Sequence, residues 1–139
     1  MSKYTELKAK HQKEVNAFPF GFAFNQSQFN EMMEKWGLTP DDTDKIYSIG
    51  GGGYVRKSDA EAMEKMFERH ELERKMARKH GDDYLFEMFN YELANHEYCI
   101  TGDLTDTLEA LGLTIEEINA DPRMADALKR AIAAQREEF

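Results

Sequence analysis

The spacing of apolar residues predicts two long helices near the middle of the chain. Residues 59–80 place apolar side chains at three- and four-residue intervals, which is the period of a helix buried along one side. Residues 83–98 carry apolar side chains around most of the helix circumference, which is typical of a helix at the centre of a core. Because only a short break at Gly81 separates them, we expect these helices to pack antiparallel as an αα-hairpin.

Three shorter segments have strand patterns. Residues 20–24 alternate bulky and small side chains, and residues 45–49 and 54–57 are rich in residues that favour strands. Four glycines, Gly50–Gly53, separate the last two segments and predict a β-hairpin turn. The fold class that follows is α+β, predominantly helical, with a small antiparallel sheet packed on a helical core in a single domain spanning residues 1–139.

Capping residues mark where several helices begin. Ser58 and Glu61 have the spacing of a capping box, and so do Thr114 and Glu117. Pro122 follows an aspartate, and proline is common at the first position of a helix. This pair predicts that the last helix starts at Pro122.

Two segments resemble each other without gaps: residues 29–42 (FNEMMEKWGLTPDD) and residues 104–117 (LTDTLEALGLTIEE). Both have a helical pattern that runs into Gly-Leu-Thr, a sequence that commonly ends one helix and starts another. We interpret the similarity as two uses of one device, and a true internal duplication is the alternative.

Negative charge is concentrated in one part of the chain. The formal net charge is −9, and the 43 residues from His80 to Pro122 hold eleven carboxylates and neither Lys nor Arg. We call this segment the acidic block. Its field repels nucleic acid and attracts basic surfaces, so we expect a basic protein partner and no nucleic-acid partner. The carboxylates that we expect on the partner-binding side are Glu87, Glu97, Asp103, Asp106, Glu109, Glu116 and Glu117.

Composition indicates the cellular compartment in which the protein is expected. Cys99 is the only cysteine, so no disulfide can form within the chain, which is typical of a reducing compartment. The first residues are charged and lack the apolar stretch of a secretion signal, and no apolar run reaches the roughly 18–20 residues that span a bilayer. We therefore expect a cytoplasmic protein without a membrane partner.

The glycine-rich segment is the first candidate for chemistry. Residues 51–58 have the length and the Lys-Ser ending of a phosphate-binding loop, but an arginine occupies the position of its second glycine. The predicted helix start still offers free backbone amides to an anion, whereas a plain hairpin turn is the simpler interpretation. An anion site would use Gly51, Gly52, Gly53, Arg56, Lys57 and Ser58.

The second candidate is His96 with Cys99, three residues further along the predicted helix. A thiolate–imidazole pair or half of a zinc site requires such proximity. No second cysteine exists, and the other histidines have no ligand spacing with this pair, so a buried cysteine and a core or capping histidine is the simpler interpretation. The sequence thus assigns no catalytic residue, no metal site and no cofactor.

Several blocks of sequence are shared with a group of known proteins. The blocks are FPFGFAF (18–24), DTDKIYSIGGGG (42–53), MFERHE (66–71), FEMFNYELANHEYC (86–99) and DTLEALGLT (106–114). The chain resembles uncharacterised small acidic proteins encoded on phages and integrative mobile elements of anaerobic bacteria. The order of strand, short helix, Gly-Leu and strand is also similar to the N-terminal part of antirestriction proteins. The resemblance implies an accessory gene of a mobile element and supplies no catalytic residues.

Three classes of function follow from the sequence. The hypothesis we favour is a non-catalytic accessory protein whose acidic surface engages a basic protein, such as a host-defence nuclease. The alternatives are an enzyme or an anion- or nucleotide-binding protein that uses Gly50–Ser58 or the pair His96 and Cys99, and a structural homo-oligomer. The acidic block also has a simpler explanation, because charged helix faces keep a protein in solution.

Overall fold

The chain divides into two units in the computed structural model, which describes residues 2–137 except for the side chain of Asp82. The first unit consists of the described residues of Met1–Lys10 and Glu73–Phe139, and the second consists of His11–Leu72. Both boundaries fall inside long helices, so two helices contribute residues to both units. The single domain expected from the sequence stays a prediction.

Eight helices and three strands occur within residues 2–137. The helices are α1 (Lys3–Ala17), α2 (Gln26–Lys35), α3 (Lys57–Lys79), α4 (Asp82–Asn95), α5 (Tyr98–Thr101), α6 (Thr105–Leu111), α7 (Ile115–Asn119) and α8 (Pro122–Glu137), and the strands are β1 (Gly21–Phe22), β2 (Ile46–Gly50) and β3 (Gly53–Arg56). The predominantly helical α+β class predicted from the sequence is confirmed.

Helix α4 forms the centre of the first unit, as its pattern predicted. Its main packing partner is α8, which presents the fully buried small residues Ala127 and Ala131. Small side chains let two helix axes approach closely, so the larger side chains of α4 fill the space between them. The side chains of α4 that are at most 1% exposed and apolar are Leu85, Met88, Phe89 and Leu93.

The break near Gly81 is confirmed, but α8 rather than α3 is the principal partner of α4. The reason is that α3 has few buried side chains. Its one buried residue is His70, while Leu72 and Met76 are exposed. The alanines of α8 present a flatter apolar surface than the mixed stripe of α3, and this difference was not visible from periodicity alone.

Helix α4 also ends earlier than predicted, at Asn95 rather than near residue 98. The cause is Glu97, whose φ of 56° places it in the left-handed region. A non-glycine residue there costs roughly 1–2 kcal/mol, so the surrounding structure has to hold it in place. The turn at Glu97 starts a separate short helix, α5.

The second unit contains the sheet. Its strand order is β1-β3-β2 with antiparallel pairing throughout, which confirms the predicted three-stranded sheet. Gly51 and Gly52, with φ of 59° and 78°, form the hairpin turn between β2 and β3. Helix α2 covers one face of the sheet so closely that a Cβ added to Gly21 would lie 2.4 Å from Sδ of Met32.

One of the two predicted capping boxes is present. The hydroxyl of Thr114 accepts from the amide of Glu117 at 3.1 Å, and the Glu117 carboxylate accepts from the Thr114 amide at 3.3 Å. The other prediction is wrong, because α3 begins at Lys57 and places Ser58 inside its first turn. Strand β3 runs directly into this helix and leaves no residue free for the cap.

The similarity between residues 29–42 and 104–117 corresponds to one local structure used twice. The amide of Leu38 donates to the carbonyl of Met33 at 2.8 Å, and the amide of Leu113 donates to that of Leu108 at 3.0 Å. The glycine before each leucine is left-handed, with φ of 72° and 65°. These are the features of a Schellman helix ending, so local capping explains the resemblance without a duplication.

The close contact of α4 and α8 can be tested by overpacking. We expect Ala131→Leu to lower the free energy of unfolding by about 1–3 kcal/mol, because Ala131 is fully buried and its neighbours must move. The same change at Ala133, an exposed position of α8, should alter it by less than about 0.5 kcal/mol. Urea unfolding measures both, and equal midpoints for the two variants would contradict the packing described here.

Candidate functional site

The acidic block lies entirely in the first unit. Of the predicted partner-binding residues, Glu87 is half-buried on α4, and the rest are exposed on or between the short helices that follow. Asp106 and Glu109 stand three residues apart on α6, whose opposite side buries Thr107 and Leu111. The exposed members are Glu97, Asp103, Asp106, Glu109, Glu116 and Glu117. That they act together on one partner stays a prediction.

Two of these carboxylates stabilise local structure. Asp103 accepts from the hydroxyl of Thr105 at 2.7 Å and from its amide at 2.9 Å, and these bonds hold the pKa of Asp103 below its usual value. Glu117 belongs to the capping box of α7. Within residues 2–137, the side chains of Glu97, Asp106, Glu109 and Glu116 make neither a hydrogen bond nor an ion pair, so they remain available to a partner.

The glycine-rich segment does not form a phosphate cradle in this arrangement. Gly51 and Gly52 turn the hairpin, and the whole of strand β3 lies between them and the start of α3. A strand rises about 3.3 Å per residue, so the turn and the helix start are on the order of 10 Å apart. Arg56 donates to Asp59 at 2.8 Å, and Lys57 lies over the ring of Tyr47 at 4.9 Å. The residues of the predicted anion site are thus divided between two ends of a strand.

His96 and Cys99 lie on different elements. His96 is the cap that follows the last residue of α4, and Cys99 is exposed on α5 beyond the left-handed turn at Glu97. The predicted helical spacing of the pair therefore does not exist. Within the described part of the chain, no group of three His, Cys, Asp or Glu side chains is placed to hold a metal ion.

An ion pair between a buried carboxylate and a half-exposed lysine occurs in the first unit and was not predicted. Glu92 of α4 is fully buried, and its carboxylate accepts from Nζ of Lys8 on α1 at 2.8 Å. The Lys8 ammonium also lies over the rings of Tyr91 and Tyr4, at 5.1 and 5.8 Å from their centroids. Burial, with Glu92 nearby, raises the pKa of the Tyr4 phenol above its usual value.

The sequence did contain a signal for this pair. Glu92 follows Leu85, Met88 and Phe89 at the spacing of the apolar stripe of α4, so a carboxylate at that position implied a buried counter-ion. Its partner is 84 residues away in sequence, and no local pattern identifies Lys8.

A second polar cluster lies in the second unit, between α1 and α3. The buried rings of His11 and His70 stack with centroids 3.9 Å apart. Nε2 of His70 is 3.3 Å from the Glu14 carboxylate, which also pairs with the guanidinium of Arg69. The hydrogen bond from Arg69 is the main reason why the pKa of Glu14 falls to about 2. His70 is thus a core histidine of the second unit.

Large apolar side chains are exposed beside the sheet. Phe22 and Phe24 are 60% and 74% exposed, and Tyr47 and Ile49 of β2 are also exposed. A homo-oligomer would bury side chains of this kind, so this surface of the second unit is the interface that the homo-oligomer hypothesis would use. It stays a prediction.

One comparison with known proteins gives a match along nearly the whole chain. The sequence profile of DUF7659, described as a family of unknown function, matches residues 3–134 and thus includes the entire acidic block. The chain belongs to DUF7659. No curated protein and no solved structure matches it significantly. Within the described residues of this DUF7659 chain, no helix is both long and apolar enough to cross a membrane.

The pair of Lys8 with the buried Glu92 carboxylate in this DUF7659 chain predicts that removing its lysine costs more stability than removing the lysine of an exposed pair. Lys8→Met leaves the Glu92 carboxylate buried without its cation, so we expect the free energy of unfolding to fall by about 1–3 kcal/mol. Lys65→Met removes the lysine of an exposed pair with Glu61 and should cost less than about 0.5 kcal/mol. Chemical denaturation at neutral pH compares them, and an equal cost would contradict the burial of Glu92.

The low pKa of Glu14 predicts a specific change in titration. With Arg69→Met we expect the pKa of Glu14 to rise from about 2 towards its ordinary value of 4.5. Because the folded-state pKa is lowered, the stabilisation is present above the ordinary value and is lost as the pH falls through about 2. Carboxyl 13C NMR measures the titration midpoint. Asp42, whose pKa is lowered by Thr39, is the control and should not change.

Proposed function

We propose that this protein is a non-catalytic binding protein whose acidic block engages a basic surface of a protein partner. The observation that supports it is the lack of internal counter-ions. Of the block's carboxylates that the structure describes, only Glu92 forms an ion pair, and that carboxylate is buried rather than exposed. The exposed members therefore keep their field directed at solvent, where a cationic partner can meet it.

Acidic residues elsewhere are more often neutralised. Glu14, Asp42, Asp59 and Glu61 each form an ion pair with a basic side chain of the second unit. The acidic block contains no Lys or Arg that could do the same. This contrast favours a directed role over general solubility, since solubility does not require that the charges be segregated.

The carboxylates are also held on ordered backbone. Asp106 and Glu109 lie on α6, and Glu116 lies on α7, whose start is fixed by the capping box. Glu97 occupies a strained left-handed position that a glycine would fill at less cost. A backbone held in this way loses little conformational freedom on binding, which favours affinity.

Electrostatic complementarity of this type acts mainly on the rate of association and on specificity. We therefore expect fast association that weakens with salt. The resemblance to mobile-element proteins supports a narrower form of the proposal, in which the partner is a host-defence nuclease whose basic nucleic-acid groove accepts the acidic surface. The same charge would disfavour binding to DNA or RNA itself.

A charge-reversal experiment tests the proposal. The immobilised protein is incubated with lysate of the source organism at low and high salt, and the captured proteins are identified by mass spectrometry. The test variant carries Asp106→Lys, Glu109→Lys and Glu116→Lys. We expect it to lose proteins that the wild type captures in a salt-sensitive manner, because three unpaired carboxylates have become cations.

The matched control carries Glu34→Lys, Glu64→Lys and Glu68→Lys, three exposed positions of the second unit. It changes the net charge by the same amount as the test variant does, and it should still capture the proteins that the wild type captures. If both variants capture the same proteins as the wild type, or lose them equally, the acidic block is not the interface.

A further inference from the structure

A groove along one side of α8 in the first unit has the composition of a docking site. Its volume is about 490 Å³. Ile118 and Leu128 are buried at its floor, Leu104 and Ile132 are half-buried, and Ile115 at its edge is 40% exposed. An apolar groove bordered by charged residues is typical of a binding surface.

Helix α8 uses different sides for the core and for the groove. Ala127, Ala131 and Gln135 are buried, and Gln135 donates to the side-chain oxygen of Asn90 on α4 at 2.7 Å. The groove is lined by another stripe of the same helix, at positions 125, 128, 129, 132, 133 and 136. At 1.5 Å per residue this stripe is about 16 Å long, or three helical turns.

Two cations of α8 line this stripe. Lys129 and Arg136 are both exposed and, among residues 2–137, neither forms an ion pair. Arg130, on the same helix but outside the groove, instead pairs with Asp126 at 2.9 Å. Lys129 and Arg136 are two turns apart, which places their backbone positions about 10 Å from each other along the helix.

We propose that this groove binds one amphipathic helix of a partner protein. The partner helix would lay an apolar ridge of about three turns into the groove, with carboxylates two turns apart opposite Lys129 and Arg136. The charge of this occupant is opposite to that of the surface proposed to bind the acidic block. The inference uses the cations of α8 and not the charge of the acidic block, so it does not depend on the proposed function.

The geometry favours a helix over a small anionic amphiphile. A fatty acid has one carboxylate, which could neutralise only one of two cations separated by two turns. A helix presents side chains at both positions at once.

The test uses two stapled helical peptides of about 15 residues labelled with fluorescein. Both have leucines along one stripe, and they differ only in carrying two glutamates or two lysines, two turns apart, beside it. Fluorescence anisotropy with the unmodified protein should show about tenfold tighter binding of the glutamate peptide. Lys129→Glu together with Arg136→Glu should reverse the preference, while Arg130→Glu should leave it unchanged.

Other outcomes would overturn the proposal. Equal affinity for the two peptides, or no binding of either, would contradict the role of the two cations. This comparison uses the unmodified protein, so it does not depend on whether a variant folds. Binding of dodecanoate in place of both peptides would assign the groove to a small amphiphile. Concentration-dependent self-association that Ala133→Glu abolishes would assign the groove to a second copy of the chain.

Discussion

The burial of α4 on most of its circumference is the constraint on which the first unit depends. A helix with apolar side chains all around must be covered from several directions, and α8 provides the largest contact because Ala127 and Ala131 let it approach closely. The one carboxylate enclosed by this packing, Glu92, is stable there because Lys8 reaches it from α1. Apolar packing thus determines where an ion pair must form.

The same packing determines which charges reach the surface. The inner sides of α6 and α7 bury Thr107, Leu111 and Ile118, so their carboxylates point outward. Because the acidic block contains neither Lys nor Arg, those carboxylates have no lysine or arginine counter-ion nearby in sequence. The unpaired basic residues at the groove lie instead on α8. The first unit therefore presents exposed carboxylates on α6 and α7 and, between α7 and α8, an apolar groove with two cations.

The second unit uses its polar groups differently. Glu14 of α1 pairs with Arg69 of α3 and lies beside His70. These polar groups therefore stabilise the packing of the two helices within the second unit. The four glycines form the turn between β2 and β3 and the strand ends beside it, and three of them have positive φ. Helix α2 covers one face of the sheet, and Met32 with the following Trp36 packs against Gly21.

The sequence by itself determined the fold class, the three strands, the break at Gly81 and the start of the last helix, because these depend on local periodicity, glycine conformation and capping. It also determined the charge segregation, which is a property of composition. Only the tertiary structure decided that α8 is the partner of α4, that Glu92 is paired with Lys8, and that His96 and Cys99 are separated by a turn at Glu97. Each of these depends on which distant side chains fill a shared volume, and neither a period nor a motif within a short segment contains that information.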